Sequence, residues 1–397
     1  KKGACPMERI IVGLPDIVIE KVISSNPVVL SVRYAGEVRC PHCGGKNLRL
    51  KDTFQRIIKN IPLRDKASVL QISCHKYLCR DCARYFNTRL PGVKPWSRST
   101  ELLKKSVFWA YNKGYSCSDI AAENNIGLAS VERYYHQMSQ HQASHWESRE
   151  CPRVLGIDEH RFTRKTGFLT TFCDLTNRRI FDIAKGKSAS ELENFLRSLR
   201  GRNNVEVVCI DMNSAYRRMI KDWFPNARIV TDRFHVIRLV NHHFSEVCKS
   251  LEEVSLAHGR GGLMRLLLMR RDRLTGRQQE RLSAFLAQKP AIAALYEFLH
   301  ELGDLLRIKE RNARGCRKYV VKLLEKIEQL RESPFAALNT LGKTLFAWRE
   351  EVARMFRYSK NNGITEGFHR KMKLIQRRAY GFRNFENYRL RVRVLCC

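Results

Sequence analysis

Three acidic residues and four cysteines stand where their chemistry could be put to use. Asp158 closes the apolar run VLGID (154–158), Asp211 closes VEVVCID (205–211), and Glu366 lies in the basic segment ITEGFHRKMKLIQRR. Carboxylates converging from separate elements can hold two divalent cations roughly 3.5–4 Å apart, one serving the nucleophile and one the leaving oxygen of a phosphoryl transfer. The cysteines form two C-x-x-C pairs, Cys40 with Cys43 in CPHCGG and Cys79 with Cys82 in CRDC. Two such knuckles can present four thiolates tetrahedrally, which suits one structural Zn²⁺, whereas a catalytic zinc would keep a position open. A redox C-x-x-C is the competing reading, but the motif is doubled and no thioredoxin-like βαβ context surrounds it. Cys74 and His75 could replace one ligand, with core packing as their ordinary role.

Periodicity indicates the elements that must position these residues. Residues 1–39 carry short β-branched runs broken by Pro and Gly, and predict a few strands leading into the cysteine module. The stretch between the cysteine pairs supplies the strands of a ribbon. After Pro91, Gly92 and Pro95 the spacing turns helical. SCSDIAAENNIGLASVERYYHQM has the form of a helix-turn-helix. Its first helix ends near Asn125, its turn covers Ile126 to Leu128, and its second helix starts at about Ser130, with Ser130 and Arg133 facing outward toward base edges or phosphates. Any three-helix bundle has similar spacing.

From residue 153 the period is that of strands. VLGID is followed by FLTTFCDL and RIFDIA as a hairpin pair, and by a helix from Ser190 with Glu193 as its capping partner. Then come the buried strand VEVVCID, a helix over 214–223, the strand ARIVTD (227–232) and a helix from about 234. The order βββαβαβα has three leading strands without crossover helices. That argues against a doubly wound nucleotide-binding sheet. In an RNase H-like sheet the first and fourth strands are neighbours, so Asp158 and Asp211 would sit side by side. Residues 240–358 consist of charged amphipathic segments broken by Gly and Pro and predict an all-helical insertion.

The segment 364–380 predicts a basic helix. On it Arg370, Lys373 and Arg377 fall at i+4, i+7 and i+11 from Glu366, while Phe368, Met372, Ile375 and Ala379 repeat on the opposite face. An acid within a cationic stripe suits a carboxylate on metal beside DNA phosphates, which Lys373, Arg377 and Arg378 would neutralise. An i,i+4 ion pair of Glu366 with Arg370 on a solvated helix is the alternative, and periodicity leaves both open.

The charge balance supports an anionic partner. Lys+Arg of 73 against Asp+Glu of 39 leaves a formal +34 over 397 residues, a field that a polyanion such as nucleic acid neutralises. No apolar run approaches the roughly 18–20 residues of a membrane span, and no secretory h-region is present, so a cytoplasmic, nucleoid-associated protein is expected. Most of the 14 cysteines lie singly in apolar surroundings, Cys173, Cys209 and Cys248 among them, which suits a reducing compartment rather than a disulfide scaffold.

GIDEH (156–160), CIDMNSAY (209–216), VTDRFHVIRLVN (230–241) and ITEGFHRKMKLIQRRAYGFRNFENYRLR (364–391) together resemble the ISL3 family of bacterial insertion-sequence transposases. Zinc ribbon, helix-turn-helix and catalytic region follow in that family's order over nearly the whole chain. The resemblance implies a DDE site at Asp158, Asp211 and Glu366, holding two Mg²⁺ or Mn²⁺ ions, and an insertion between the second and third acids. It also implies a D-x-x-H element, Asp232 to His235, near the active site, with His235 contacting DNA or a flipped base and Asp232 in a supporting role. Residue types alone suggest instead a helix cap by Asp232 and a histidine bonded inside the fold.

The expected fold is multidomain α+β. N-terminal strands and a zinc ribbon occupy 1–92, a helix-turn-helix DNA-binding domain 93–150, an RNase H-like DDE catalytic domain 151–239 with 359–397, and a helical insertion 240–358. The expected activity is binding of the terminal inverted repeats of an insertion sequence, then two-metal strand cleavage and strand transfer into double-stranded target DNA by a homodimer or higher oligomer. Two rivals are a zinc-containing DNA-binding regulator with an inactive RNase H-like core and a nuclease without strand transfer.

Overall fold

A computed structural model describes residues 10–147, 149–163, 167–251, 262–310, 312–358, 363–379, 381–382 and 384–397. The described residues form a mixed α+β fold with two five-stranded sheets. It divides into two compact units, residues 1–147 with 374–395, and residues 148–373 with 396–397.

In the first unit β1 (Ile17–Ser25), β2 (Val28–Tyr34), β3 (Leu48–Leu63), β4 (Lys66–Cys79) and β5 (Tyr85–Asn87) form a sheet of order β1-β2-β4-β3, with β5 on β4. Strands β3 and β4 are one long antiparallel hairpin. Along β4 every second residue from Ser68 to Cys74 is buried, as a half-covered strand of period two requires. Leu70, Ile72 and Cys74 join Val12, Ile17, Leu30, Val32 and Ile58 in the core. Three helices follow: α1 (Glu101–Lys113), α2 (Cys117–Glu123) and α3 (Leu128–Glu147). Thr100 caps α1 by accepting the Leu103 N–H at 3.1 Å, Gly114 ends it at φ +101°, and Ser116 caps α2 by accepting the Asp119 N–H at 3.0 Å. Leu103, Val107, Ile120, Ile126 and Val131 close the helices around one core.

The second unit opens with β6 (Val154–Thr163), β7 (Gly167–Asp174), β8 (Arg179–Lys185), α4 (Ala189–Ser198), β9 (Val207–Ile210), α5 (Ser214–Trp223), β10 (Arg228–Thr231) and α6 (Arg233–Leu251). The sheet order is β10-β9-β6-β7-β8, with β10, β9 and β6 parallel and the β6-β7-β8 meander antiparallel. Every residue of β9 is buried, which is why its sequence is apolar without alternation. Two local expectations are corrected. The capping box of α4 uses Ser188 and Glu191 rather than Ser190 and Glu193, because Glu193 instead pairs with Arg197 at 2.8 Å. Asp158 does not end its strand, because β6 keeps its antiparallel partner β7 as far as Thr163 after the β9 ladder has stopped.

The described residues of 252–358 are helical: α7 (Leu263–Leu268), α8 (Gly276–Gln288), α9 (Pro290–Arg307), α10 (Ala313–Arg331), α11 (Ala336–Ala347) and α12 (Arg349–Arg354), with one short 3₁₀ turn. They share the sheet's core: Leu302, Leu306, Leu323, Leu341, Val352 and Phe356 lie in one buried cluster with Ile157, Phe172, Ile210 and Val236. Polar ties reinforce this docking beside β10. Arg233 donates to the Ile308 carbonyl at 3.1 Å and the Met355 carbonyl at 2.7 Å, and Arg217 pairs with the buried Glu351 at 2.7 Å.

Helices α13 (Gly363–Arg378) and α14 (Phe385–Cys396) finish the chain. Glu366, Arg370, Lys373 and Arg377 are exposed along α13 while Thr365, Met372 and Ile375 are buried, the division its periodicity predicts. The expected catalytic domain takes in all of 359–397, whereas residues 374–395 pack in the first unit. There the Arg391 guanidinium lies 4.3 Å from the Tyr111 ring centroid and donates to the Tyr111 carbonyl, and Arg378 donates to the Lys113 carbonyl at 3.4 Å. Among the described residues no helix is long and apolar enough to cross a membrane.

Candidate active site

The last pair of the β6·β9 ladder is Gly156 opposite Cys209. Asp158 and Asp211 each stand two residues beyond that pair, so the parallel register brings both carboxyls out at one edge of the sheet. The next parallel strand adds a third acid. The Asp232 N–H donates to the Ile210 carbonyl at 2.7 Å, which sets Asp232 beside Asp211. Asp232 also caps α6, accepting the Phe234 N–H at 3.3 Å. One turn into that helix, His235 holds Nδ1 3.0 Å from Asp211 Oδ2 and Nε2 3.7 Å from Asp232 Oδ2. The D-x-x-H element is therefore both a helix cap and a partner of the second aspartate. Ligand atoms of Asp211, Asp232 and His235 lie within 4.8 Å of one another.

Burial, and then the proximity of Asp211, pushes the Asp158 carboxyl up from 3.8 to about 7. Burial and then Asp232 push Asp211 up to about 7 as well, against the opposing pull of Arg238. Asp211 Oδ1 is buried and has no hydrogen-bond partner. Neighbouring carboxyls that resist ionisation and an orphaned buried oxygen are what a divalent cation would resolve, since its charge favours both carboxylates and its coordination satisfies the oxygen. Oxygen donors with one imidazole suit Mg²⁺ or Mn²⁺ better than a thiophilic metal.

A histidine that the sequence reading passed over closes the other side of Asp158. His369, one turn along α13 from Glu366, holds Nδ1 3.7 Å from Asp158 Oδ2 and Nε2 3.1 Å from Thr171 Oγ1. Thr171 also meets His160 Nδ1 at 3.2 Å, and the two imidazole rings lie 4.5 Å apart. Burial lowers His160 to about 3 and His369 to about 4, so both rings are neutral near pH 7. The available signal was spacing, because a residue at i+3 from Glu366 shares its side of a helix. On the opposite face of β6, Glu159 accepts from Tyr216 Oη at 3.4 Å, and that hydroxyl lies 3.1 Å from Thr170 Oγ1.

Glu366 itself is not drawn into the cluster. Its carboxylate is 59% exposed and lies 2.7 Å from Arg370 Nη2, the i,i+4 pair that periodicity had left open. In the first unit the four cysteines do converge. Cys40 and Cys82 sulfurs are 3.6 Å apart, Cys43 and Cys79 sulfurs 3.5 Å apart, and all four fall within 4.8 Å. The first knuckle is closed by the Gly44 N–H donating to the Cys40 carbonyl at 2.9 Å, with Gly44 at φ +75°. In the second, the Cys79 N–H donates to the Arg84 carbonyl at 2.9 Å, with Ala83 at φ +55°. This cluster could hold a metal ion. Cys74 is spent on the core and His75 Nδ1 bonds Thr53 Oγ1 at 2.9 Å, so neither joins it. On α3, Arg133 is exposed and its guanidinium donates to the half-buried Ser130 hydroxyl at 3.2 Å.

Comparison with known proteins identifies the family. Residues 155–392 match the family model described as transposase, of the ISL3 type of DDE transposases. The chain is also 25% identical over 376 residues, 89% of its own length and 87% of the relative's, to the transposase for insertion sequence element IS1001 of Bordetella parapertussis. With well over half of its residues matched, the chain belongs to the ISL3 family of transposases.

Proposed function

We infer that the protein binds the terminal inverted repeats of an insertion sequence and catalyses strand cleavage and strand transfer with Asp158, Asp211 and Glu366. The observation that carries this reading is the register-matched exit of Asp158 and Asp211 from neighbouring parallel strands, with both carboxyls pushed up to about 7 and one buried oxygen unpartnered. An RNase H-like catalytic sheet has this arrangement. Asp158 and Asp211 would hold Mg²⁺ or Mn²⁺, with Glu366 as the third acid. Two divalent ions bound there supply Lewis acidity to the attacking hydroxyl and the leaving oxygen.

The chain's own residues do the rest. Glu366 must exchange Arg370 for the site, and an exposed i,i+4 pair is worth only about 0.3–0.5 kcal/mol, so DNA phosphate can take Arg370 instead. Lys373, Arg377 and Arg378 continue that stripe and would neutralise phosphates, giving a steep salt dependence. Neutral His369 and Thr171 would hold the Asp158 carboxyl in one orientation, and His235 with Asp232 would do the same for Asp211. In the first unit, α2 and α3 would act as a helix-turn-helix presenting Ser130 and Arg133 to DNA. One structural Zn²⁺ on Cys40, Cys43, Cys79 and Cys82 would close a zinc ribbon at the far end of the β3–β4 hairpin. Pairing two element ends calls for at least a dimer.

The test incubates labelled element ends with a plasmid target in Mg²⁺, comparing wild type with Glu366→Gln. Joined products in wild type alone support the reading. Equal joining by the variant removes Glu366 from the site. Cleavage without joining indicates a nuclease, and binding without cleavage a regulator.

A further inference from the structure

The first unit exposes an aromatic ring that neither its cores nor its cysteine cluster uses. Trp96 is 90% exposed. It is the third residue of the turn Lys94-Pro95-Trp96-Ser97, closed by the Ser97 N–H donating to the Lys94 carbonyl at 3.1 Å. Its φ is +61°, a left-handed conformation that turns of this kind reserve for glycine because a Cβ strains it. The position is thus doubly unfavourable, in backbone strain and in apolar surface left in water.

The turn is nevertheless held firmly. The Lys59 N–H donates to the Arg98 carbonyl at 2.9 Å, and the Thr100 N–H to the Lys59 carbonyl at 3.0 Å. Arg56 Nη2 donates to the Ser97 carbonyl at 2.7 Å. Strand β3 therefore fixes a strained turn whose tip is a bare indole. Strain kept in place by surrounding bonds points to a role for the tip.

Two concavities meet at that tip. One, of about 760 Å³, lies against α3 and is lined by Arg98, Arg133, Gln137 and Gln140. The other, of about 400 Å³, lies against the hairpin and is lined by Arg56 and Arg89. Pro95 and Trp96 line both, and neither lining includes an Asp or Glu. The charge complementarity calls for an anionic partner on both sides of one apolar ridge. Duplex DNA has that form, with a groove between two phosphate strands that admits an apolar wedge.

We propose that the Trp96 turn is a groove wedge: the indole enters a groove of duplex DNA while Arg98 with Arg133, and Arg56 with Arg89, face the phosphates of the two bordering strands. This rests on the reading of the protein as a DNA-binding transposase, and it names the surface and the contact that reading left open.

Fluorescence anisotropy of the full chain against a labelled mixed-sequence duplex, and against one of its strands, tests it over a salt series. Trp96→Gly relieves the strained backbone, so the fold should melt no lower than wild type while duplex affinity falls about tenfold or more, the size of a lost base–aromatic contact. Arg98→Gln and Arg89→Gln should each reduce the slope of log affinity against log salt by about one. If wild type binds duplex and Trp96→Gly binds it equally well, or if the affinity lost is for the single strand alone, the wedge is overturned. A change confined to self-association overturns it too. If wild type itself fails to bind duplex, the underlying DNA-binding reading fails instead.

Discussion

Replacing Asp158 by Asn should raise the stability of the metal-free protein at pH 8 and raise it by well under half as much at pH 5. The folded-state pKa of Asp158 is about 7, against 3.8 for an ordinary aspartate. Between roughly pH 4 and 7 the folded chain holds a proton that the unfolded chain has released, so stability falls as pH rises through that window and the loss is complete above it. A shift of that size corresponds to about 4 kcal/mol as a ceiling. Solvent reaches the pair, with side-chain exposures of 16% for Asp158 and 31% for Asp211, so the expected gain at pH 8 is about 1–2 kcal/mol, or a few degrees in melting temperature. Asn keeps the local geometry because its Oδ1 can still accept the Glu159 N–H, which Asp158 Oδ1 accepts at 2.8 Å. The assay is thermal unfolding at pH 5 and pH 8 with and without MnCl₂. Wild type should gain stability from Mn²⁺ at pH 8, as any ligand of the folded state provides, and the variant should lose most of that gain. A variant that melts at or below wild type at pH 8, or that keeps the full Mn²⁺ shift, would refute the electrostatic reasoning.

Three further outcomes are expected. His369→Ala should lower strand cleavage roughly 10–100-fold while duplex affinity stays within about twofold, measured by single-turnover cleavage beside anisotropy; matched losses in both would make His369 a structural residue only. Cys43→Ser should abolish stoichiometric zinc in the purified protein by elemental analysis and lower hydrogen-exchange protection at the Cys79 end of the β3–β4 hairpin, and retained zinc would exclude Cys43 as a ligand. Gly342→Ala should destabilise the second unit by about 1–3 kcal/mol on thermal denaturation, because its Cβ would lie 2.5 Å from the Arg331 backbone nitrogen and 2.8 Å from the Leu330 carbonyl carbon; an unchanged melting temperature would mean that α10 and α11 separate freely.

Element order was legible wherever burial writes a pattern into the chain. VEVVCID reads as a strand covered on both faces because β9 is covered on both faces, and α13 reads as half-buried because one side of it is. The doubled C-x-x-C identified its four sulfurs because knuckle geometry is local to each pair. Asp158 and Asp211 were reached through strand adjacency, which βββαβαβα order implies.

Periodicity reports that a face is covered and is silent about what covers it. Tertiary structure alone therefore brought His369 to Asp158 across the α13 contact with β6 and β7, while the parallel pairing of β10 fixed how Asp232 and His235, which the family resemblance had put near the site, surround Asp211. It also merged the helical stretch into the sheet's core and gave residues 374–395 to the first unit. Between the two partners that spacing allowed Glu366, the fold pairs it with Arg370, since an exposed carboxylate gains more from a guanidinium one turn away than from two neighbouring acids.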